Sequence, residues 1–190
     1  PLLAQATATV ADRQVRHRGT FGGALAHADP AGDLPAVAVA SEAVFEVAGP
    51  NGRRQIAAED FFVDYLTTTL EPGEVLVAVR VPKRTGWSSH YEKFNTMAQS
   101  WALVGVAALV KRSNGSIAEA RVALTNMGPK PLRARAVESA LSGADAGAVK
   151  AAAAHATEGA EPSDDLTGSR EYRTHLARVL TERAVLSALG

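Results

Sequence analysis

The sequence predicts an α+β protein, and three observations carry that prediction. β-type runs cluster between residues 75 and 125, an Ala-rich helical tract fills the chain from Arg133 onward, and the Gly-containing linker Lys83 to Ser89 (KRTGWSS) separates stretches of different texture. With 190 residues there is room for one large domain or two small ones. That linker is read as a domain boundary, and after it the order is three strands and then three helices.

Leu2 to Ala11 has helical spacing and ends at Asp12 and Arg13. Gly19, Gly22 and Gly23 read as a loop just ahead of a helix, whose N-cap falls on Asp33, with Pro35 in its first turn and the apolar run Leu34 to Ala40 behind. Val44 to Ala48 alternates as a strand, and Gly49-Pro50-Asn51-Gly52 turns it into a second strand near Gln55 to Ala57. Glu59 to Tyr65 is expected as a short helical turn with its aromatics inward. Val75 to Val81 is strongly β-type and closes at Pro82. Strands follow at His90 to Phe94, Ala102 to Lys111 and Ile117 to Thr125, the last two joined at Ser113-Asn114-Gly115-Ser116 as a hairpin. The helices are expected at Ala134 to Leu141, Ala146 to Thr157 and Glu171 to Leu189, the last with Leu176, Val179, Leu180 and Leu186 on one face.

Twenty basic residues balance twenty acidic ones, and no basic stripe carries interleaved aromatics, so no nucleic-acid partner is expected. Cysteine is absent, which excludes disulfides, thiolate metal sites and a thiol nucleophile within this chain. No apolar run approaches the roughly 20 residues that span a bilayer, so no membrane partner is expected and the cytoplasm is the default location.

The block VRHRGTFGGALAHADPAGDLP, Val15 to Pro35, has the most chemical character. Its glycines form either a plain tight turn or a loop whose amides meet an anion, with the Thr20 hydroxyl as a further donor and Arg16 and Arg18 beside it. It matches neither the dinucleotide fingerprint nor a P-loop. Asp33 alone reads as a helix cap, and Lys93 in YEKFN as an exposed strand residue. The five histidines show no metal-ligand spacing, no nucleophile elbow is present, and neither a catalytic residue nor a metal site is expected.

The order RHRGTFGGALAHADPAGDLP, EVLVAVRVP, YEKFNTMAQSWALVGVAA and EYRTHLARVLTERAV resembles the FAD-binding medium subunit of molybdenum hydroxylases, of the carbon monoxide dehydrogenase and xanthine dehydrogenase type. The resemblance covers essentially the whole chain. It implies that residues 1–83 are the second part of a PCMH-type FAD-binding domain and residues 86–190 the family's C-terminal domain, a three-stranded antiparallel sheet with a three-helix bundle. It further implies FAD as cofactor, with Thr20, Phe21, Gly22, Gly23 and Ala24 on its diphosphate and ribityl region. Asp33 becomes a cofactor contact rather than a mere cap, Leu76 an apolar neighbour of the flavin, and Lys93 a residue near its ring system, with Tyr91 a weaker candidate for covering that ring. Phe21 stands where Ile or Leu is usual, and Ala24 where Asn is frequent.

In such enzymes the flavin passes electrons from iron–sulfur clusters to an external acceptor, which implies a large molybdopterin subunit and a small iron–sulfur subunit as partners. The family's other Gly-rich loop, A-G-G-[TQH]-[DS]-[LF], has no counterpart here. With Pro1 in first place, the chain is expected to be a piece of a longer subunit rather than a degenerate relative, inactive by itself and binding FAD weakly or not at all. The alternative is an assembly module with a vestigial flavin loop.

Overall fold

The computed structural model describes residues 1–190. Four short helices open the chain: α1 (Leu2–Thr9), α2 (Arg13–Arg18), α3 (Phe21–His27) and α4 (Asp33–Ala40). Two of them depart from expectation. α2 is an unforeseen turn of helix, started by the Asp12 side chain accepting from the Val15 amide. α3 takes in Gly22 and Gly23, which the sequence suggests as loop because glycine costs about 1 kcal/mol in a helix interior. Here they occupy the first turn, whose amides need no helical partner, and Thr20 caps it.

The hairpin β1 (Val44–Gly49) and β2 (Gly52–Ala57) forms as expected, and β5 (Val75–Arg80) joins it in a three-stranded antiparallel sheet of order β2-β1-β5. Between them lie α5 (Ala58–Phe61) and a small hairpin, β3 (Phe62–Asp64) with β4 (Thr67–Thr68). Phe61 and Phe62 are buried and pack edge-to-face on Phe45, with ring centroids 4.7 and 6.1 Å away. Tyr65, expected inward, is 61% exposed, because the chain has already left the helical turn for the hairpin tip.

The second half is an antiparallel sheet of β6 (Trp87–Phe94), β7 (Val104–Ser113), β8 (Ser116–Thr125) and β9 (Leu132–Arg133). The expected three strands are all there, and the two-residue β9 adds an edge too short to read from pattern. Asn114 and Gly115 both take positive φ in the tight turn between β7 and β8. Helices α6 (Arg135–Leu141) and α8 (Arg170–Leu189) form as expected. The middle helix is interrupted: α7 (Val149–Ala153) lies between 3-10 turns at Ala146–Ala148 and Ala154–Thr157.

β7 explains how the halves fit together. Residues 104–110 are buried without a break, so the strand is covered on both faces rather than alternating with solvent. Val104, Val106, Ala108 and Val110 enter one core, with Leu176, Leu180, Ala184 and Val185 of α8. Ala107 and Leu109, together with Tyr91 and Ala123, enter the other, with α4 and Phe45. One sheet therefore serves two cores.

Polar side chains tie the same junction. Glu42, left-handed at φ 52°, accepts from Arg84, from Arg121 at 2.8 Å and from Arg133 at 3.1 Å. The Arg84 and Arg121 guanidinium groups also lie 4.9 and 5.4 Å from the centroid of the Trp87 ring. Burial alone raises the Glu42 carboxyl, but the three arginines outweigh it and hold the group at about 2 against an ordinary 4.5. Because the folded value is the lower one, Glu42 contributes stability above pH 4.5 and loses it as pH falls toward 2. Melting curves of wild type and Glu42→Gln should thus differ at neutral pH and converge across that interval. A constant difference would refute the assignment.

Candidate functional site

Three adjoining hollows run along the N-terminal helices. One of them, about 540 Å³, is lined by Thr20, Phe21, Gly23 and Ala24 of the glycine turn, together with Val10, Val15, Arg18 and Leu34. The second, about 280 Å³, shares Val10, Val15, Ala24 and Leu34 with it and adds Asp33, Lys93, Gln99, Ser100 and Trp101. The third, about 400 Å³, meets the second at Lys93, Ala11 and Gln99. The three hollows share lining residues, and apolar side chains stand there beside Arg13, Arg16, Arg18 and Lys93 and the acids Asp12 and Asp33.

At its glycine end the Thr20 Oγ1 accepts from the Gly23 amide at 2.9 Å, and the Thr20 carbonyl takes the Ala24 amide at 3.1 Å. The expected run of free amides is therefore shorter: Phe21 and Gly22 remain as the uncommitted donors of the turn. A Cβ at residue 22 would meet nothing within 4 Å, whereas one at residue 23 would lie 2.9 Å from the Thr20 hydroxyl. A side chain at residue 23 would therefore crowd the capping hydroxyl and make Thr20 shift. Arg16 is turned inward, donating to the Val10 and Ala11 carbonyls at 2.6 and 2.7 Å, so it shapes the exit of α1.

At the other end sits a buried ionic group. Asp33 is the first residue of α4, and Gly32, not Asp33, occupies the cap position. The Asp33 carboxylate caps nothing. Its Oδ1 accepts from the Tyr91 hydroxyl at 2.6 Å and its Oδ2 from the Lys93 ammonium at 2.8 Å. Lys93 also donates to the Thr9 carbonyl at 3.1 Å. The side chains of Lys93 and Asp33 are only 6% and 4% exposed, so Lys93 is no ordinary surface strand residue. Burial pushes the Asp33 carboxyl above the usual range, and Lys93 and Tyr91 offset that only in part. Burial and the adjacent carboxylate hold the Tyr91 phenol well above its ordinary value.

Tyr91 accordingly lies beneath the cleft wall, 5% exposed, and is not among the lining residues. Two anticipated residues stand apart from the lining: Gly22, on the open side of its turn, and Leu76 of β5, which pairs with Val47 of β1. α3 nevertheless packs against β5, and Leu76, Phe21 and Ala24 border the same core. Sequence reasoning missed Val10, Val15, Gln99, Ser100 and Trp101 as lining residues. It also missed the Tyr91–Asp33 pairing, although a signal existed: Tyr91 and Lys93 are two apart on one strand and share a face.

Comparison with known proteins decides the family. Residues 1–84 match the family model described as the FAD binding domain in molybdopterin dehydrogenase, and residues 89–188 that of the CO dehydrogenase flavoprotein C-terminal domain. The chain belongs to the FAD-binding medium-subunit family of molybdenum hydroxylases.

Among the family's members, the carbon monoxide dehydrogenase medium chain of Hydrogenophaga pseudoflava is 42% identical over 99% of this chain and 67% of its own length. The glyceraldehyde dehydrogenase medium chain of Sulfolobus acidocaldarius is 36% identical over 97% of this chain and 66% of its own length. A solved carbon monoxide dehydrogenase from Hydrogenophaga pseudoflava, lacking the Mo-pyranopterin moiety of its cofactor, superposes with a TM-score of 0.96 at 44% identity. That match covers 100% of this chain and 67% of the other. This chain thus spans about two thirds of the length of its relatives. Its α+β architecture is theirs, and the family's cofactor is FAD. No helix is long and apolar enough to cross a membrane.

Proposed function

We propose that this chain forms part of the FAD-holding subunit of a molybdenum hydroxylase, with the cleft between α1, α3 and Lys93 as its share of the flavin site. The observation that supports this best is the junction at Ala24. That residue borders both the hollow of the glycine turn and the hollow of the Asp33–Lys93 pair, so one extended ligand could meet both ends. The residues suit the group. The uncommitted amide at Phe21 in the lining and that of Gly22 on the open side of the same turn, with Arg18 nearby, suit a diphosphate; Val10, Val15, Leu34 and Trp101 match a flat apolar ring system; Lys93 supplies positive charge. Leu76 would support the glycine turn from behind.

Bound flavin supplies two-electron and one-electron redox chemistry, and the protein's part is to hold, orient and electrostatically bias it. On this reading residues 1–83 carry most of the cofactor contacts, and residues 86–190 contribute Lys93, Trp101 and the sheet beneath them. Iron–sulfur clusters of a small subunit would deliver electrons drawn from a large molybdopterin subunit, and an external acceptor would remove them. The relatives' names as medium chains support such an assembly.

The test is Ala24→Glu in the complete medium subunit. Ala24 lies within a helix and is only partly buried, so glutamate can be accommodated while it intrudes on both hollows with a repelling charge. Flavin content measured by absorbance should fall at least about tenfold, with the thermal midpoint nearly unchanged. Full flavin content in the variant would overturn the assignment. Loss of flavin with subunit assembly intact would separate cofactor binding from an assembly role.

A further inference from the structure

We propose that Tyr91 is a positioning residue for the cofactor cleft: its buried hydroxyl fixes one oxygen of Asp33, so that the other holds the Lys93 ammonium at the cleft wall. The inference rests on the flavin reading above and extends it to a residue that touches no ligand.

Geometry makes the arrangement a chain. Tyr91 and Lys93 project from one face of β6, two residues apart, and both reach the start of α4, with donor–acceptor distances of 2.6 and 2.8 Å. The phenol has little else to bind: its next polar neighbour, the Thr125 hydroxyl, is 3.5 Å away. Glycine at position 105 makes the room, since a Cβ there would overlap the Tyr91 hydroxyl. A charge-assisted hydrogen bond to one carboxylate oxygen both orients the group and favours its ionised form. Without it, Asp33 would be left with a single side-chain partner, Lys93, and would take up a proton more readily. Lys93 would then be tethered only through the Thr9 carbonyl and a neutral acid.

Few other charges bear on Asp33. From β6 come Tyr91 and Lys93, from β8 the neutral Thr125, and from α1 only the Thr9 carbonyl. On α3 the titratable group is His27, in the hollow of the glycine turn, and α5 carries the exposed Glu59 and Asp60. Arg133 approaches the opposite end of α4, at the Val39 carbonyl. Asp12, Arg13 and Arg16 line the hollow that meets Lys93 from the other side.

Two measurements test the proposal. In this chain, carbon-13 NMR would follow the Asp33 carboxyl through its titration in wild type and Tyr91→Phe. Loss of the donor should raise its proton affinity about tenfold, moving the midpoint up by about one pH unit. Replacing the tyrosines by 3-fluorotyrosine, whose phenol is the stronger donor, should move it down, and this arm stands even if Tyr91→Phe fails to fold. Unmoved titrations in both would overturn the proposal.

The second measurement is the midpoint potential of FAD in the complete subunit as a function of pH. Protonation of Asp33 leaves Lys93 unneutralised, which favours the reduced, more negative flavin. The potential should therefore rise below the Asp33 midpoint. That inflection should shift upward in Tyr91→Phe and vanish in Asp33→Asn, whereas a role confined to stability would leave it in place. If the NMR titration moves and the potential ignores it, the proposed action on the cofactor is wrong. Retention of flavin by Ala24→Glu would instead indict the placement of the cleft, so the two failures remain distinguishable.

Discussion

Replacing Gly105 by alanine is expected to destabilise the protein by about 3 kcal/mol, lowering the thermal midpoint by about 6–12 °C for a chain of this size. An added methyl would overlap the Tyr91 hydroxyl and lie 3.2 Å from both the Tyr91 Cζ and the Thr125 Cβ. Neither neighbour has space to retreat, since Tyr91 is 5% exposed and Thr125 fully buried. Overpacking accounts for about 1–3 kcal/mol, and the broken contact with a buried carboxylate adds to it. The double variant Gly105→Ala with Tyr91→Phe removes the colliding oxygen and should recover part of the loss. Strict additivity of the two substitutions, read from thermal unfolding, would show that the collision does not set the effect.

The second large effect concerns Arg173 on α8. Its side chain is 1% exposed and donates to both Asp165 oxygens, at 2.9 and 2.7 Å, and to the Leu103 carbonyl at 2.8 Å. The Thr167 hydroxyl and amide, with Ser163 and Arg173, hold the Asp165 carboxyl well below its usual range. Asp165→Ala leaves a buried guanidinium without its counter-ion, which costs most when neither water nor another acid can reach it. Asp165 itself is 42% exposed, so water can partly replace it, and the expected loss is about 3 kcal/mol, the low end for such pairs. Chemical denaturation would measure it. Arg173→Met, which removes the charge altogether, should be better tolerated than Asp165→Ala, and the reverse order would contradict this account.

How much of this was legible in the sequence depends on the distance over which each feature is determined. The hairpin at Asn51-Gly52 and that at Asn114-Gly115 could be placed because turn chemistry is local. The fourth strand of the second sheet could not, since Leu132 and Arg133 are strand residues only because β8 lies beside them. Gly22 and Gly23 have poor helix propensity yet stand in a helix, because Thr20 satisfies the first turn. Asp33 illustrates the same limit within the site. Its position before an apolar run suggests a cap, and only the tertiary approach of β6, 58 residues on, shows a carboxylate shared by tyrosine and lysine. The family motif singled out Thr20 to Ala24, Asp33 and Lys93, while periodicity alone left Lys93 at the surface.

The double use of β7 has a consequence for how such proteins can be taken apart. Alternate side chains of that strand plug opposite sides of the molecule, so neither side has a finished floor of its own. A cut between Arg84 and Gly86 would spare every strand ladder yet strip Ala107, Leu109 and Tyr91 from beneath α4. Gene fragments that respect the apparent seam should yield sticky, poorly soluble halves that recover only when co-expressed. Recombination at that point would carry a penalty in each lineage that attempted it, which binds the two segments to a common inheritance.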